Sequence, residues 1–247
     1  MDVVTHAGVP GVTETPGYAQ GSVPGEANTA ETAAPVAAVR KYAVELIGTF
    51  FLMFTVTVAV LSGSTFTPLA AGAVLMVMIY AGGHISGGHY NPAVTMAALV
   101  RGRIKGAEAV GYWISQVVGA LIAGVVGRAI VNPAHVTALQ PAGHALTATA
   151  LVELLFTFAL AYVVLNVATS KDHPNNGFYG LAIGFTVAAG AFAVGGISGG
   201  VFNPAVALGG SAAGIFAWST VWVYLLVELV AGAAAGLAFR ALNPSDK

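Results

Sequence analysis

Two glycine-rich segments carry amide and imidazole side chains that could do chemistry within the apolar part of this 247-residue chain. The first, GGHISGGHYNPAV at residues 82–94, lies within residues 46–100, which contain no Asp, Glu, Lys or Arg. Asn91 stands directly before a proline, an arrangement in which the Asn side chain caps a helix that the proline begins. The fixed side chain then presents its amide N–H groups as hydrogen-bond donors of defined direction.

The second segment, VGGISGGVFNPAV at residues 194–206, repeats the first at a constant offset of 112 residues, with nine of thirteen positions identical. Each half of the chain also opens an apolar run with one glutamate, Glu45 or Glu153. These matches indicate an internal duplication. The repeated triplets are Asn91, Pro92, Ala93 and Asn203, Pro204, Ala205.

The ionisable residues inside the apolar runs are Glu45, Glu153 and Glu228, and such residues are functional or structural by default. Glu228 has no equivalent residue in the other half of this repeat. His84 and His89 lack the further ligands that a metal site needs, so we predict hydrogen bonding within the loop instead. The chain has no cysteine and shows no nucleophile–base arrangement. We therefore expect no catalytic site, no metal and no cofactor.

Composition indicates the class of protein. The chain is 57% hydrophobic and 8% charged, with a mean hydropathy of +0.81, whereas soluble domains carry about 25% charged residues. A net charge of −1 offers no basic surface for nucleic acid. We expect an integral membrane protein with an acidic, disordered N-terminal tail at 1–39, one membrane domain at 40–242 and a C-terminal tail at 243–247.

The apolar pattern predicts an all-α architecture. Residues 69–100 would make one helix about 48 Å long, too long for a single crossing of a ~30 Å hydrocarbon core. The run must break at 83–90, so that a half-helix begins at Pro92 and the loop before it is buried or lines a cavity. The predicted fold has six transmembrane helices and two re-entrant half-helices. The six spans are 42–62, 69–82, 107–131, 148–168, 178–194 and 218–241.

Three spans per half make the two halves opposite in orientation, as in inverted repeats whose broken helices meet near the bilayer midplane. With both termini in the cytoplasm, eight of the nine basic residues fall inside, as the positive-inside rule expects. We therefore predict a multi-pass protein of the plasma membrane. The eight are Arg40, Lys41, Arg101, Arg103, Lys105, Lys171, Arg240 and Lys247, and the exception is Arg128.

The two Asn-Pro-Ala triplets, the stretches SGGHYNPAVT and GYWISQVVGA, and the paired glutamates resemble the aquaporin, or major intrinsic protein, family over residues 40–242. The resemblance implies a channel for water and small neutral solutes, assembled as a homotetramer in the lipid bilayer. It also implies that Glu45 and Glu153 support the re-entrant loops. Asn132-Pro133-Ala134, which lacks the glycine-rich lead-in, is expected to be a turn.

The resemblance places a selectivity filter at Ala71, Ala191, Gly200 and Val206, although a shift by one residue would bring in Phe192 instead of Ala191. Members of the family usually carry Arg at the place of Val206. The resulting filter is wide and apolar, so it should pass solutes larger than water. It also lacks the charge that helps to exclude cations.

Two alternatives to a passive channel remain open. The missing Arg allows an ion-conducting or non-conducting relative, and inverted repeats with broken helices also build secondary transporters. A transporter needs ligands for a coupling ion near the midplane, and the core offers only the three glutamates already named.

Overall fold

The computed structural model describes residues 30–246, with side chains from residue 38 onward. Eight helices and no β-strand occur in this part of the chain, six of the helices being long and apolar enough to span a membrane. The predicted all-α membrane fold is confirmed. The helices are α1 (Ala30–Leu61), α2 (Thr67–Ser86), α3 (Pro92–Arg101), α4 (Gly106–Val131), α5 (His144–Ala168), α6 (Tyr179–Ser198), α7 (Pro204–Ala212) and α8 (Val221–Leu242).

The two short helices are the expected half-helices. Helix α3 has 10 residues and α7 has 9, so each is about 15 Å long or less. That length is half of a ~30 Å hydrocarbon core. Both helices carry proline in the first turn, where its missing N–H would be unpaired in any case.

Helices α2 and α6 run further than the sequence predicted. They end at Ser86 and Ser198 rather than at 82 and 194, so the irregular segments are shorter than expected. A glycine inside a helix costs only about 1 kcal/mol relative to alanine, so the first glycines of each motif stay helical. The breaks come at Gly87 and Gly199, whose φ values of +89° and +94° are left-handed.

The chain termini also differ from the expected domain boundaries. Helix α1 begins at Ala30, so residues 30–39, assigned above to a disordered tail, are helical; this stretch is rich in alanine, the strongest helix former. The remainder of that tail lies outside the described residues. At the other end, Asn243 terminates α8, and Asp246 is only 4% exposed rather than part of a free tail.

The half-helices pack across the repeat, α3 against α8 and α7 against α4. Glycines make these approaches close: a Cβ on Gly232 would collide with the Ala93 carbonyl, and one on Gly124 with the Gly209 carbonyl. Helices α2 and α6 cross where Gly72 and Gly184 face each other's backbone carbonyl. Small residues at helix crossings are typical of membrane proteins. The halves are therefore interlocked rather than placed side by side.

Candidate functional site

Each Asn of the repeated triplets caps its own half-helix. Asn91 has an extended backbone, and its Oδ1 accepts a hydrogen bond of 2.8 Å from the Ala93 N–H. Asn203 does the same for α7, where Oδ1 accepts from the Ala205 N–H at 3.0 Å. These bonds satisfy N–H groups that a helix N-terminus otherwise leaves unpaired.

The same two amides join the halves of the repeat. Nδ2 of Asn91 donates to the Phe202 carbonyl at 2.8 Å, and Nδ2 of Asn203 donates to the Tyr90 carbonyl at 2.9 Å. A side-chain amide has two N–H groups, so one N–H of each remains for a molecule in the cavity that both Asn residues line. Each amide is thus held at both its oxygen and its nitrogen.

The proline and alanine of the triplets position the asparagines. Pro92, Ala93, Pro204 and Ala205 are buried and do not belong to the cavity wall formed by the described residues. The Pro92 carbonyl instead accepts a hydrogen bond from Trp113 Nε1 at 3.1 Å.

Glu45 is completely buried and holds the first re-entrant loop. Its carboxylate accepts hydrogen bonds from Ser86 Oγ at 2.7 Å, the His89 N–H at 2.9 Å and the Tyr90 N–H at 2.7 Å. A fourth donor, Gln116 Nε2, lies 2.8 Å away. Four donors compensate the cost of burying this carboxyl group.

Glu153 does the same for the second loop with three donors. Its carboxylate accepts from Ser198 Oγ at 2.6 Å, the Val201 N–H at 3.0 Å and the Phe202 N–H at 2.7 Å. It too is completely buried. The two glutamates differ in their fourth neighbour: Glu45 has the amide of Gln116, whereas Glu153 has the carboxyl of Glu228.

The structure gives Glu228 a counterpart that the sequence reading missed. Tyr112 and Tyr224 stand 112 residues apart, and each donates its hydroxyl to the carbonyl of the last residue of α2 or α6, at 2.6 and 2.7 Å. Four residues after each tyrosine stand Gln116 and Glu228. Extending the 112-residue offset beyond the glycine-rich motifs would have found this pair.

The prediction that His84 forms a hydrogen bond within the loop is wrong. Because α2 continues to Ser86, His84 lies in its last helical turn, is exposed, and makes no hydrogen bond with the described residues. It lines a second cavity of about 390 Å³ together with residues that follow α5. His89 takes the loop position instead: its Nδ1 lies 3.0 Å from Thr95 Oγ1, and it lines the main cavity.

The main cavity measures about 480 Å³ and is mostly apolar. The predicted filter residues Ala71, Ala191, Gly200 and Val206 all line it, and so does Phe192. Gly200 has a φ of +64°, and a Cβ there would lie 2.9 Å from the Ala191 Cα, so these two residues are neighbours at one level of the cavity. Val206 is in the first turn of α7, three residues after the Asn203 cap.

Comparison with known proteins agrees with this geometry. The model of the major intrinsic protein family matches residues 58–239. The chain is 39% identical over 218 residues to "Glycerol uptake facilitator protein-like 6" of Lactiplantibacillus plantarum, covering 84% of this chain and all of that protein. It is 38% identical over 201 residues to "Aquaporin NIP1-4" of Oryza sativa subsp. japonica, covering 78% of this chain and 72% of the relative.

The fold also matches a solved structure. The X-ray structure of the aquaglyceroporin from Plasmodium falciparum superposes with a TM-score of 0.70, covering 82% of this chain and 95% of that one at 21% sequence identity. The extent of the family match and the 39% identity over the whole length of one relative lead to one assignment: this chain belongs to the major intrinsic protein family.

Proposed function

We propose that this protein is a passive transmembrane channel for water and small uncharged solutes, including solutes of glycerol size. The observation that carries the proposal is one apolar cavity that is bordered by both capped asparagines and by all four predicted filter residues. Curated relatives named as a glycerol uptake facilitator and as an aquaporin support it.

The asparagines give the channel its polar contact points. A water molecule between them accepts a hydrogen bond from the free N–H of Asn91 and another from that of Asn203, so its lone pairs are occupied. It cannot then accept a proton from the next water along the file. The N-termini of α3 and α7 add positive dipole ends that oppose the passage of cations.

The filter residues decide the size of solute that passes. The four filter residues have no charge and no ring, so they leave space for a three-carbon polyol and for the groups that hydrogen-bond to the polyol. They are Ala71, Ala191, Gly200 and Val206. Phe192, in contrast, is an aromatic residue on the same wall, with 61% of its surface exposed. We propose that the first four residues, rather than Phe192, set the size limit.

The contacts of Glu45 and Glu153 argue against their use in ion-coupled transport. The carboxylate oxygens of Glu45 and Glu153 already accept hydrogen bonds from N–H groups of the re-entrant loops. A coupling ion would have to displace these structural hydrogen bonds, each of which stabilises a buried backbone group.

We further propose that both termini are cytoplasmic, that the protein lies in the plasma membrane, and that it forms a homotetramer. Charges support the orientation: Arg101 and Arg103 gather around Asp246 at one end, whereas Arg128 binds the Ala213 carbonyl next to α7. Exposed apolar side chains on the spanning helices fit contact with lipid or with neighbouring subunits. Native mass spectrometry from detergent tests the number of subunits.

Stopped-flow light scattering on proteoliposomes tests the channel. We expect faster water, glycerol and urea flux than in protein-free liposomes, with no dependence on an ion gradient. Uptake that requires a proton or sodium gradient would indicate a transporter. A cation current without solute flux would indicate an ion-conducting relative.

A further inference from the structure

The two re-entrant loops are supported by different chemistry at equivalent positions. In the first half, the Gln116 side chain donates through Nε2 to Glu45 at 2.8 Å and to Thr95 Oγ1 at 3.0 Å. In the second half, the position 112 residues later is Glu228, and the position equivalent to Thr95 is Ala207. An amide donor and its hydroxyl partner are therefore replaced by a carboxyl group and a methyl group.

Among the described residues, the one contact that favours a negative charge on Glu228 is with the Asn203 backbone. Glu228 is completely buried, and neither of its carboxyl oxygens receives a hydrogen bond from the described residues. Its carboxyl faces that of Glu153 closely enough for a hydrogen bond between the two, and the Asn203 backbone lies beside it.

Helices α3, α5 and α7 pack against α8, and their titratable groups near Glu228 can be named completely. Helix α5 contributes Glu153, and α7 has no titratable side chain. Helix α3 has only Arg101, whose guanidinium lies over the Phe239 ring near the end of α8, about three helical turns from Glu228 along the chain. On α8 itself, the Tyr224 hydroxyl donates to a backbone carbonyl. No described cation lies within this group of contacts.

Two carboxylates in contact inside a membrane, without a cation, repel each other strongly, so such a pair retains one proton. Glu153 already accepts hydrogen bonds from a hydroxyl and two backbone N–H groups, which favour its ionised form. The proton therefore belongs on Glu228. A neutral carboxylic acid has one O–H donor, which can be directed at Glu153 as the amide of Gln116 is directed at Glu45.

We propose that Glu228 is a positioning residue that remains protonated and donates a hydrogen bond to Glu153, so that a proton holds the second re-entrant loop where an amide holds the first. Through Glu153 this proton acts on the N–H groups of Val201 and Phe202, and the Phe202 carbonyl in turn holds Asn91. The position of the pore asparagines then depends on the protonated state of a residue that does not touch the cavity.

Three variants test this role. In E228Q a permanent amide donor replaces the acid, so water flux and the midpoint of thermal unfolding should equal or exceed those of the parent. E228A removes the donor, so flux and unfolding midpoint should both fall. Q116E installs the same acid in the first half, and we expect it to fold with nearly parental flux because it also retains a proton.

Infrared spectroscopy of the reconstituted protein at neutral pH measures the proton directly, whether or not the protein conducts. The parent should show the carbonyl band of a protonated carboxylic acid, E228Q should lose this band, and Q116E should gain a second one. Exposed carboxyls are ionised at this pH and do not contribute. The proposal is overturned if the band is absent from the parent or persists in E228Q. It is equally overturned if E228Q is as damaging as E228A, or if Q116E folds without a second band.

Discussion

Asn91 and Asn203 each connect a helix N-terminus, the opposite half of the chain and the cavity through one side-chain amide. Their oxygen is used locally and one N–H is used across the repeat, so neither side chain can turn without breaking a hydrogen bond. Preorganised donors of this kind lose little entropy when they bind a passing molecule.

Replacing Asn91 or Asn203 with alanine should lower solute flux and reduce thermal stability. The change removes a cap, at about 1 kcal/mol, and leaves the Phe202 or Tyr90 carbonyl unpaired, at a further 1–3 kcal/mol or so. Asp is the matched control because it keeps the cap but has no N–H to donate. Parental permeability of both alanine variants, at equal protein per liposome, would remove these residues from the pore.

Replacing Val206 with arginine should restrict the filter. A guanidinium would fill space beside Ala71 and Ala191 and place a positive charge in the passage; two unit charges 4 Å apart repel by about 4 kcal/mol at an effective dielectric of 20. We expect glycerol flux and any cation leak to fall while much of the water flux remains. Val206→Leu is the control: it adds bulk without charge, so it should leave any cation leak unchanged. An unchanged size cut-off and leak in the arginine variant would show that Val206 does not line the constriction.

For single residues, the sequence predicts the functional side chains that belong to the repeated motif. It does not predict the groups outside the motif to which these side chains bind. The capping asparagines follow from the Asn-Pro pairs. Their bonds to the Tyr90 and Phe202 carbonyls do not, because backbone acceptors carry no side-chain signal. His84 was misplaced because glycines before and after it suggested an irregular loop where the helix in fact continues.

Each re-entrant segment is held by one buried glutamate from the first helix of its own half, α1 or α5. The N–H groups of such a segment cannot be satisfied by water at membrane depth. The carboxylate supplies several acceptor sites at one point, which is why one residue can hold a whole turn of irregular backbone.

Glu45→Ala should therefore damage folding rather than alter the selectivity of the channel. It leaves the buried Tyr90 N–H and the partly buried His89 N–H without their acceptor, at roughly 1–3 kcal/mol for a fully buried group. Glu153→Ala should behave alike through Val201 and Phe202. The midpoint of thermal unfolding in detergent measures the loss.

Glu108→Ala is the control for these variants. Glu108 is a partly exposed carboxylate that pairs with Lys41 at 2.7 Å, and exposed ion pairs contribute about 0–1 kcal/mol. A Glu45→Ala protein with the stability of the Glu108→Ala protein would contradict the supporting role.

The number and type of the helices follow from the sequence because charge-free runs of limited length can satisfy a bilayer in few ways. Their ends follow less well. The Gly-rich stretch before Ser86 continues the helix because Gly87, in a left-handed conformation, provides the helix end. The residues before Arg40 continue from a Gly-, Pro- and Thr-rich segment that suggests a tail, yet their many alanines favour helix.

At the scale of the whole molecule, Asp246 fastens the C-terminal end of the chain to the rest of the membrane domain. Its carboxylate lies 2.8 Å from the Arg101 guanidinium and accepts a hydrogen bond from the Lys171 N–H at 2.9 Å. Arg101 also binds Thr169, so α3, the segment after α5 and the end of the chain meet at one point. The hydrogen bond from the Lys171 backbone, followed by that from Arg101, lowers the pKa of Asp246 from 3.8 to about 2.

Asp246→Asn should lower the thermal midpoint at neutral pH. A carboxyl whose pKa is lower in the folded protein stabilises it above the ordinary value of 3.8 and stops doing so as the pH falls towards 2. The difference between the parent and Asp246→Asn should thus be constant from pH 5 to 8 and shrink below about 4. Thermal unfolding across this range checks the prediction, and equal midpoints at pH 7 would exclude an anchoring role.

The exchange of half-helices between the two halves has a consequence for biosynthesis. The first half-helix, α3, lies against α8 of the second half, and Asn91 binds a carbonyl 111 residues further along the chain. Contacts between residues so distant in sequence form late in folding. While the chain is still being inserted, the first half lies in the bilayer without two of its final contacts. Helix α3 lacks its packing partner α8, and Asn91 lacks its hydrogen bond to the second half. The first half-helix therefore reaches its final packing only after the second half of the chain has been made.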